Sequence, residues 1–330
     1  MQECSEKKTK LYRMGCMAFF FSGICAMSSG VIVSMLQEYY GFAYGMTGTL
    51  LSLMNIGNLV AGFASAILPS RIGTRGTVLM LTSGYTLGYL FMTAGNYMWL
   101  LMLAFLLLGF AKGNTLNNCT VLVGNNSNDR TKGMNVMHAS YACGALLGPI
   151  LIAAALITGK YSPMYALAGA GVVLWFVFVA VRFPGKSAKA IDEKKEKTDW
   201  SFLREKKFWL LTGLIFCQNA AETSVTGWMV TYTGWLAILM LFAFSCAMAG
   251  VNPTGVAGAG NMLNSVTMGI MLPAAGLGAI LMPWIIGLVA ERVSLQAGMF
   301  CNIVPCAGIL VFSILCRRLE NRNYNTGENK

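Results

Sequence analysis

Charged residues are missing from long stretches of this sequence. No Asp, Glu, Lys or Arg occurs in residues 14–37, 39–70, 76–111 or 223–290. Charged residues make up 11% of the chain and hydrophobic residues 56%, whereas about a quarter of a soluble globular domain is charged. This composition excludes the soluble globular class and indicates a membrane protein. The longer stretches must each hold more than one crossing, because a transmembrane helix needs about 20 apolar residues.

The sequence also lacks the two-residue alternation of a transmembrane β-barrel, because its apolar runs are hydrophobic on every face. Turn signals such as Gly95-Asn96 and Ser162-Pro163 divide the runs into separate helices. The sequence therefore predicts an all-α polytopic membrane protein with about ten transmembrane helices, six in the first half and four in the second. The predicted spans are residues 14–36, 46–68, 76–94, 97–123, 134–158, 163–182, 208–231, 235–256, 265–289 and 296–316.

Basic residues are scarce on one side of the predicted topology. If the ten spans simply alternate, 21 of the 24 Lys and Arg residues fall on the side of the two termini. Lys160 and Arg292 fall opposite, and Lys112 lies within a span. Cytoplasmic loops of membrane proteins have such an excess of basic residues. We therefore expect a multi-pass protein of the cell membrane with both termini cytoplasmic, and we attribute the net charge of +11 to topology, not to nucleic-acid binding.

Residues for catalysis and metal binding are few. His138 is the only histidine, the ten cysteines are scattered without a CxxC pair, and no GxxxxGK[ST] phosphate-binding loop occurs. A metal cluster, a conventional catalytic triad and ATP-driven chemistry are therefore not expected, and we predict no cofactor and no enzymatic activity. His138 lies near the cytoplasmic end of the fifth span, where a packing or capping role and a proton-relay role both remain open.

An internal repeat links the two halves of the chain. CGALLGPIL at residues 143–151 returns as LGAILMPWI at 277–285, with Gly144 and Gly278 each five residues before a proline. WLLMLAFLLLGFAKGN at 99–114 returns loosely from Trp235 onward, so the offset is 134 to 137 residues. Glycine and proline within an apolar run are typical of close-packed, slightly broken transmembrane helices. Spans four to six therefore correspond to the last three spans.

The first and seventh spans follow a different offset. Residues 26–35 align with residues 221–230, about 195 positions on. The additional 60 or so residues equal two spans and a loop, so we predict that the second half lacks two helices between Tyr232 and Trp235. The predicted domains are a six-helix bundle at 1–184, a charged cytoplasmic linker at 185–207, and a four-helix bundle at 208–330.

Particular stretches resemble a known family. FFFSGICAMSSGVIVSMLQEYYGF at residues 19–42 and QNAAETSVTGWMVTY at 218–232 resemble the first and seventh helices of the fucose-permease-like sugar transporters of the major facilitator superfamily. NVMHASYACGALLGP at 135–149 resembles the fifth helix, and Asn117 and the Asn252-Pro253-Thr254 turn resemble polar positions of helices four and ten. The resemblance implies two bundles that rock around a solute site near the membrane midplane.

The chain departs from this family at several positions. The loop after the second span reads Ser-Arg-Ile-Gly-Thr-Arg at residues 70–75, without the usual acidic residue. The positions at which fucose-permease-like proteins place carboxylates in helices one and four match Gly30 and Gly113. Proton coupling by the family's usual route is therefore not expected from these two helices.

Two charged residues lie within spans, and each needs a reason because a charge in the bilayer is costly. They are Lys112 in the fourth span and Glu222 in the seventh. Glu222 is expected to be a proton or solute-hydroxyl site, and a structural ion pair with Lys112 is the alternative. Gln218, one turn before Glu222, and the adjacent Asn219 enlarge the polar surface.

Asparagines form the second group of candidates. Asn114, Asn117 and Asn118 share one face of the fourth span, nearly opposite Lys112, and can hydrogen-bond a hydroxylated solute. Asn114, Asn117, Gln218, Asn219, Glu222 and Asn252 are the predicted solute-binding residues. Glu222, Lys112 and His138 are the candidates for proton coupling.

These observations predict a secondary transporter, a symporter or uniporter, of a small polar solute such as a sugar or polyol. The coupling ion, proton or sodium, is left open, and a monomer within the lipid bilayer is expected. A non-transporting remnant of such a transporter, or an exporter of small organic molecules, is the alternative.

Overall fold

The protein consists of long helices wherever its structure is described. The structure is a computed structural model that describes residues 2–181, 201–228, 243–244, 247–248, 251 and 265–326. Seven helical segments of these residues are long and apolar enough to cross a membrane. The predicted fold class, an all-α polytopic membrane protein, is confirmed. The helices are α1 (Gln2–Tyr40), α2 (Tyr44–Phe91), α3 (Met98–Asn126), α4 (Arg130–Leu156), α5 (Ser162–Ala180), α6 (Lys206–Trp228), α7 (Ser265–Arg292), α8 (Leu295–Phe300) and α9 (Ile303–Thr326).

Helix α2 contains the predicted second and third spans. Gly73 interrupts it with φ 77° and ψ 156°, a backbone conformation that glycine adopts without strain. The first segment, up to Ser65, is among the seven apolar spans. The second segment and α6 add two further helices at predicted span positions, in agreement with the expectation of about ten.

The last predicted span, residues 296–316, is divided in the structure, and its prediction as one helix is corrected. Helix α8 ends at Phe300 and α9 begins at Ile303. Pro305 explains the break, because proline has no N–H with which to continue the helix from the carbonyl of Cys301. The Val304 N–H donates to that carbonyl instead, at 3.1 Å.

The chain forms two compact units, the first made of residues 1–40 and 53–188. In this unit α1 packs against α3, α4 and α5. The Ser22 and Tyr85 hydroxyls lie 2.8 Å apart, and the buried Tyr89 hydroxyl donates to the Cys25 carbonyl. These bonds satisfy polar groups inside an apolar bundle and fix the second segment of α2 against α1.

The second unit contains residues 41–52 and 189–330. Here α6 packs against α7 and α9. Residues 44–52 of α2, which we call the strap, also belong to this unit. A buried core joins the start of α6 to α7 and to the short 3-10 turn Ser201–Arg204; its members are Phe202, Phe208, Leu211, Ile215, Met271 and Ala275.

Each unit contains the same close contact between two helices. A Cβ atom on Gly144 of α4 would collide with the Phe20 carbonyl of α1, and one on Gly278 of α7 would collide with the Phe216 carbonyl of α6. Gly278 follows Gly144 by 134 residues, and Phe216 follows Phe20 by 196 residues. The two offsets differ by 62 residues, which agrees with the length of a helix pair that the repeat predicts to be missing.

Several predicted features lie outside the described residues. They are the join between Tyr232 and Trp235, Asn252, most of the 235–256 span and most of the 185–207 linker. The missing helix pair and the bounds of the predicted domains therefore stay predictions.

Candidate functional site

The polar surface of α6 contains the acidic residue that the sequence singled out. Gln218, Glu222 and Thr226 follow one another at intervals of four residues, so they lie in one row along the helix. Gln218 is 2% exposed, and its Nε2 donates to Glu222 Oε2. Glu222 and Thr226 are exposed. The row therefore presents a carboxylate and a hydroxyl, with a buried amide behind the carboxylate.

A second polar row of α6 faces α7. Thr223 Oγ1 donates to the Asn219 carbonyl at 2.7 Å and lies 3.5 Å from the Ala279 carbonyl of α7. Asn219 is half-buried on the same row. The structure thus brings Gln218, Asn219 and Glu222 together on one helix, as the sequence predicted for these three residues.

The opposite side of α6 holds a polar contact that sequence reasoning missed. Ser224 Oγ donates to Asn302 Oδ1 at the break between α8 and α9, and both residues are buried. The sequence feature that could have indicated this contact is Asn302 itself, a polar residue three positions before Pro305 in an apolar run. This contact ties the broken last span to α6.

Asn114, a predicted solute ligand, is buried between helices in this structure. Its side chain is 0% exposed, and its Nδ2 donates to the Val78 carbonyl at 3.2 Å and to Thr82 Oγ1 at 2.9 Å. Its Oδ1 accepts from Asn118 Nδ2 at 3.0 Å. The amide of Asn114 therefore joins α3 to the second segment of α2. Its role as a solute ligand stays a prediction.

The other candidates of α3 keep their predicted status. Asn117 and Lys112 are half-buried, and α3 continues without a break through Gly113. Helix α3 is therefore not distorted at Gly113, and Lys112 and Asn117 are not brought to one face. The roles of Asn117 as a solute ligand and of Lys112 in coupling stay predictions.

His138 lies on α4 against an aromatic side chain of α1. Its ring meets Phe19 edge to face, with centroids 5.5 Å apart, and Phe19 also packs against Tyr141 at 4.7 Å. The His138 residue is exposed, whereas Phe19 is buried. This contact favours the packing role that the sequence left open, and the proton-relay role stays a hypothesis.

A second carboxylate contacts the strap at the start of α2. The Gly45 N–H donates to Glu291 Oε2 at 3.1 Å, so the carboxylate of α7 binds the N-terminus of α2. A Cβ on Gly48 would lie 2.5 Å from the Pro283 carbonyl. Ser52 Oγ donates to the Ile280 carbonyl at 2.7 Å. Small residues thus allow close packing of the strap on α7, which sequence reasoning did not foresee.

No group of His, Cys, Asp and Glu that could hold a metal ion occurs in the part of the chain that the structure describes. The chemistry of the α6 rows is hydrogen bonding and charge: a carboxylate that accepts hydroxyl protons, amides that donate and accept, and threonine hydroxyls that do both. Such a surface suits a hydroxylated solute or a proton.

The described helices have the architecture of a polytopic membrane protein, and α6 bears a polar surface with a carboxylate. The family model of the Major Facilitator Superfamily matches residues 15–315. The chain belongs to this superfamily, and the resemblance drawn from its motifs is confirmed.

Two solved structures are similar to this chain. The nucleoside transporter NupG, solved as a mutant, is 12% identical with a TM-score of 0.66, over 94% of this chain and 99% of that chain. The E. coli fucose:proton symporter FucP, also a mutant, is 15% identical with a TM-score of 0.50, over 96% and 92% of the two chains. At these identities the likeness shows the fold. No curated protein matches the sequence.

Proposed function

We propose that this transporter moves a small hydroxylated solute, a sugar or polyol, and that Glu222 binds the solute or the coupling ion. The observation that supports the proposal is the exposed carboxylate in the row Gln218, Glu222 and Thr226 of α6. An ionised carboxylate within a span costs several kcal/mol when it faces lipid. Its exposure on a spanning helix therefore fits a water-filled path or a solute site.

The chemistry of the row fits hydroxyl groups better than apolar solutes. The Glu222 carboxylate accepts hydrogen bonds, and the Thr226 hydroxyl both donates and accepts. Asn219, half-buried on the neighbouring row, adds an amide. Solute specificity in a facilitator comes from a few such groups near the midplane. A sugar or polyol offers several hydroxyls that can bond to such groups.

The transport cycle proposed here uses a gradient. Glu222 takes up a proton, or binds sodium, together with the solute on one side and releases both on the other side. The termini lie in the cytoplasm, the protein resides in the cell membrane, and a single copy suffices. Labelling of a cysteine at position 10, in a background without other cysteines, tests the topology: reaction from the outside contradicts it.

Uptake into vesicles tests the proposed function. Purified protein is reconstituted, and radiolabelled monosaccharides, polyols and nucleosides are offered with an inward proton gradient, an inward sodium gradient or neither. Accumulation of at least one sugar or polyol above its outside concentration is expected with one gradient. Efflux from preloaded vesicles alone would favour the exporter.

Absence of all transport by folded protein would contradict the proposal and favour a non-transporting remnant. The fold is checked by helical circular dichroism and by monodisperse elution in detergent. A genomic read across the join of Tyr232 and Trp235 then shows whether the gene itself lacks the helix pair.

A further inference from the structure

A groove in the second unit combines three cations with an apolar wall. It lies between the start of α6 and the end of α9 and has a volume of about 530 Å³. We call it the basic groove. Its cations are Arg204, Lys206 and Arg318, and its apolar wall includes Trp209, Phe312 and Leu315.

The cationic rim is held in place by buried aromatic side chains. Phe202, two residues before Arg204, is buried and packs on the ring of Phe208 with centroids 5.1 Å apart. Trp209 Nε1 donates to the Leu203 carbonyl at 2.8 Å. The 3-10 turn that bears Arg204 is therefore fixed to α6 by the two residues that precede Arg204.

The apolar wall continues from the rim between the two helices. Phe312 of α9 packs directly on Gly213 of α6, where a Cβ atom would lie 2.6 Å from the ring. Trp209 and Leu315 are exposed beside it. An apolar chain lying in this groove would contact Trp209, Phe312 and Leu315.

The charge of the rim is uncompensated in the described residues. In the part of the chain that the structure describes, no carboxylate forms an ion pair with Arg204, Lys206 or Arg318. Lys207 and Arg317 add positive charge beside the rim, and Glu205 is the neighbouring acid. The rim therefore attracts an anion.

The level of the rim in the membrane identifies the kind of anion. Arg318 lies at the end of the apolar span Leu295–Leu319, Lys206 begins α6, and Arg204 lies in the 3-10 turn just before it. Positions just beyond an apolar span meet the lipid headgroups, where Lys and Arg bind phosphate. By the predicted topology this end is cytoplasmic, where anionic lipids attract basic clusters.

We propose that the basic groove binds one anionic phospholipid, with its phosphate on Arg204, Lys206 and Arg318 and an acyl chain along Trp209, Phe312 and Leu315. The arginine guanidinium groups suit the phosphate because they donate two parallel hydrogen bonds to its oxygens. This site is separate from the polar rows of α6 and does not depend on the proposed solute.

Native mass spectrometry of the purified full chain tests this site. The protein is mixed in detergent with phosphatidylglycerol or with phosphatidylcholine of the same acyl chains, and bound lipid is counted. Phosphatidylglycerol is expected to bind about tenfold more tightly than phosphatidylcholine. The triple variant Arg204→Gln, Lys206→Gln, Arg318→Gln is expected to lose this preference.

A matched variant removes three charges elsewhere. Lys8, Lys10 and Arg13 are exposed near the start of α1, and their change to Gln is expected to keep the tenfold preference. Leu315→Trp fills the apolar wall without changing charge and is expected to weaken phosphatidylglycerol binding several-fold. The single variant Arg318→Gln, with a smaller effect of the same sign, serves if the triple variant does not fold.

Four results would overturn the proposal. The first three are equal binding of the two lipids by the unchanged protein, an equal loss of preference in the matched variant, and full binding by Leu315→Trp. Displacement of phosphatidylglycerol by glycerol phosphate at equal concentration would also overturn it, because the site would then hold a free anion and not a lipid.

Discussion

Helices α4 and α7 occupy equivalent places in the two units but differ in what covers them. Each places a glycine against the backbone of a central helix, Gly144 on α1 and Gly278 on α6. On α7 the face that includes Pro283 and Gly287 is packed by the strap. The equivalent face of α4 is open: Leu146 is 73% exposed and Ile150 63% exposed.

This difference fits the predicted loss of a helix pair. The strap is the beginning of α2, the helix that follows α1 in the chain. Its counterpart on α4 would be the beginning of the helix that follows α6, which is where the repeat predicts the missing helices. A repeat with all its members would cover both faces alike, and the loss of a helix pair after α6 stays a prediction that the open face of α4 supports.

The largest loss of stability is expected when a methyl group is added to the glycine at the helix contact that occurs in each unit. Gly144→Ala and Gly278→Ala each place a Cβ atom on a backbone carbonyl that cannot move by side-chain rotation. Each should cost about 3 kcal/mol or more and reduce the yield of folded protein. Gly169→Ala on α5 is the matched control, because its Cβ meets nothing within 4 Å and alanine favours helix.

Thermal denaturation in detergent measures these three variants. The two glycine contacts are equivalent if Gly144→Ala and Gly278→Ala lower the melting temperature by similar amounts while Gly169→Ala leaves it unchanged or raises it. An effect of Gly144→Ala alone would mean that the two contacts are not equivalent.

The next largest effect is expected on solute accumulation, because α6 has a carboxylate where the equivalent position of α1 has none. The helix contacts relate Phe20 to Phe216, an offset of 196 residues. By this structural offset Glu222 corresponds to Ala26, so the carboxylate has an apolar, buried counterpart in the first unit. Glu222→Gln keeps the size and much of the hydrogen bonding but cannot exchange a proton. Accumulation against a gradient should fall at least tenfold, while exchange of solute, which needs no net proton movement, should fall less.

Uptake and exchange in the same vesicles measure both quantities. Glu205→Gln makes the same chemical change at the start of α6 outside the proposed solute row, and it should leave both rates unchanged. Full accumulation by Glu222→Gln would exclude this carboxylate from proton coupling and would leave another residue or another ion as the coupling agent.

A third pair of substitutions compares the covered face of α7 with the open face of α4. Gly287 follows Ala153 by 134 residues. A Cβ on Gly287 would lie 2.8 Å from the Tyr44 carbonyl and 3.1 Å from Gly48 Cα, whereas Ala153 is exposed. Gly287→Leu should therefore cost about 2 kcal/mol by separating the strap from α7, and Ala153→Leu should cost nothing measurable.

Thiol labelling detects the separation. A cysteine at position 52, in a background without other cysteines, is buried beneath the strap contact and should react slowly. Its labelling should accelerate several-fold with Gly287→Leu and not with Ala153→Leu. Equal acceleration by both would show that the face of α4 is packed as well, against the explanation by deletion.

The sequence predicted the helices because their apolar runs and charge gaps depend on local composition. Gly73 is not needed to recognise the two spans within α2, and the equivalence of Gly144 and Gly278 was readable from the repeat. The break at Cys301 and Asn302 was missed although Pro305 signals it, because the hydropathy of the run does not change there.

The partners of polar side chains were less predictable. Asn114 and Gln218 are both amides within apolar runs, yet Asn114 bonds to Thr82 of α2 and Gln218 bonds to Glu222 of its own helix. Only the second partner lies within one turn and could be read from spacing. The contact of Glu291 with Gly45 joins residues 246 positions apart. No pattern within either helix indicates it.

The smallest loss of stability is expected when the carboxylate of Glu291 is changed. Glu291 Oε2 accepts from the Gly45 N–H in the first turn of α2, where a negative charge is favoured by the unpaired N–H groups of the helix. Glu291→Gln keeps an acceptor oxygen and removes the charge, so it should cost less than 1 kcal/mol; Glu291→Ala removes both and should cost about 1 kcal/mol. Labelling of the cysteine at position 52 should therefore rise slightly with Gln and about fivefold with Ala. Because α4 has no strap to hold, Ile157→Ala, at the exposed end of α4, should leave this labelling unchanged. Equal labelling in Glu291→Ala and the unchanged protein would show that the glycine packing alone holds the strap on α7.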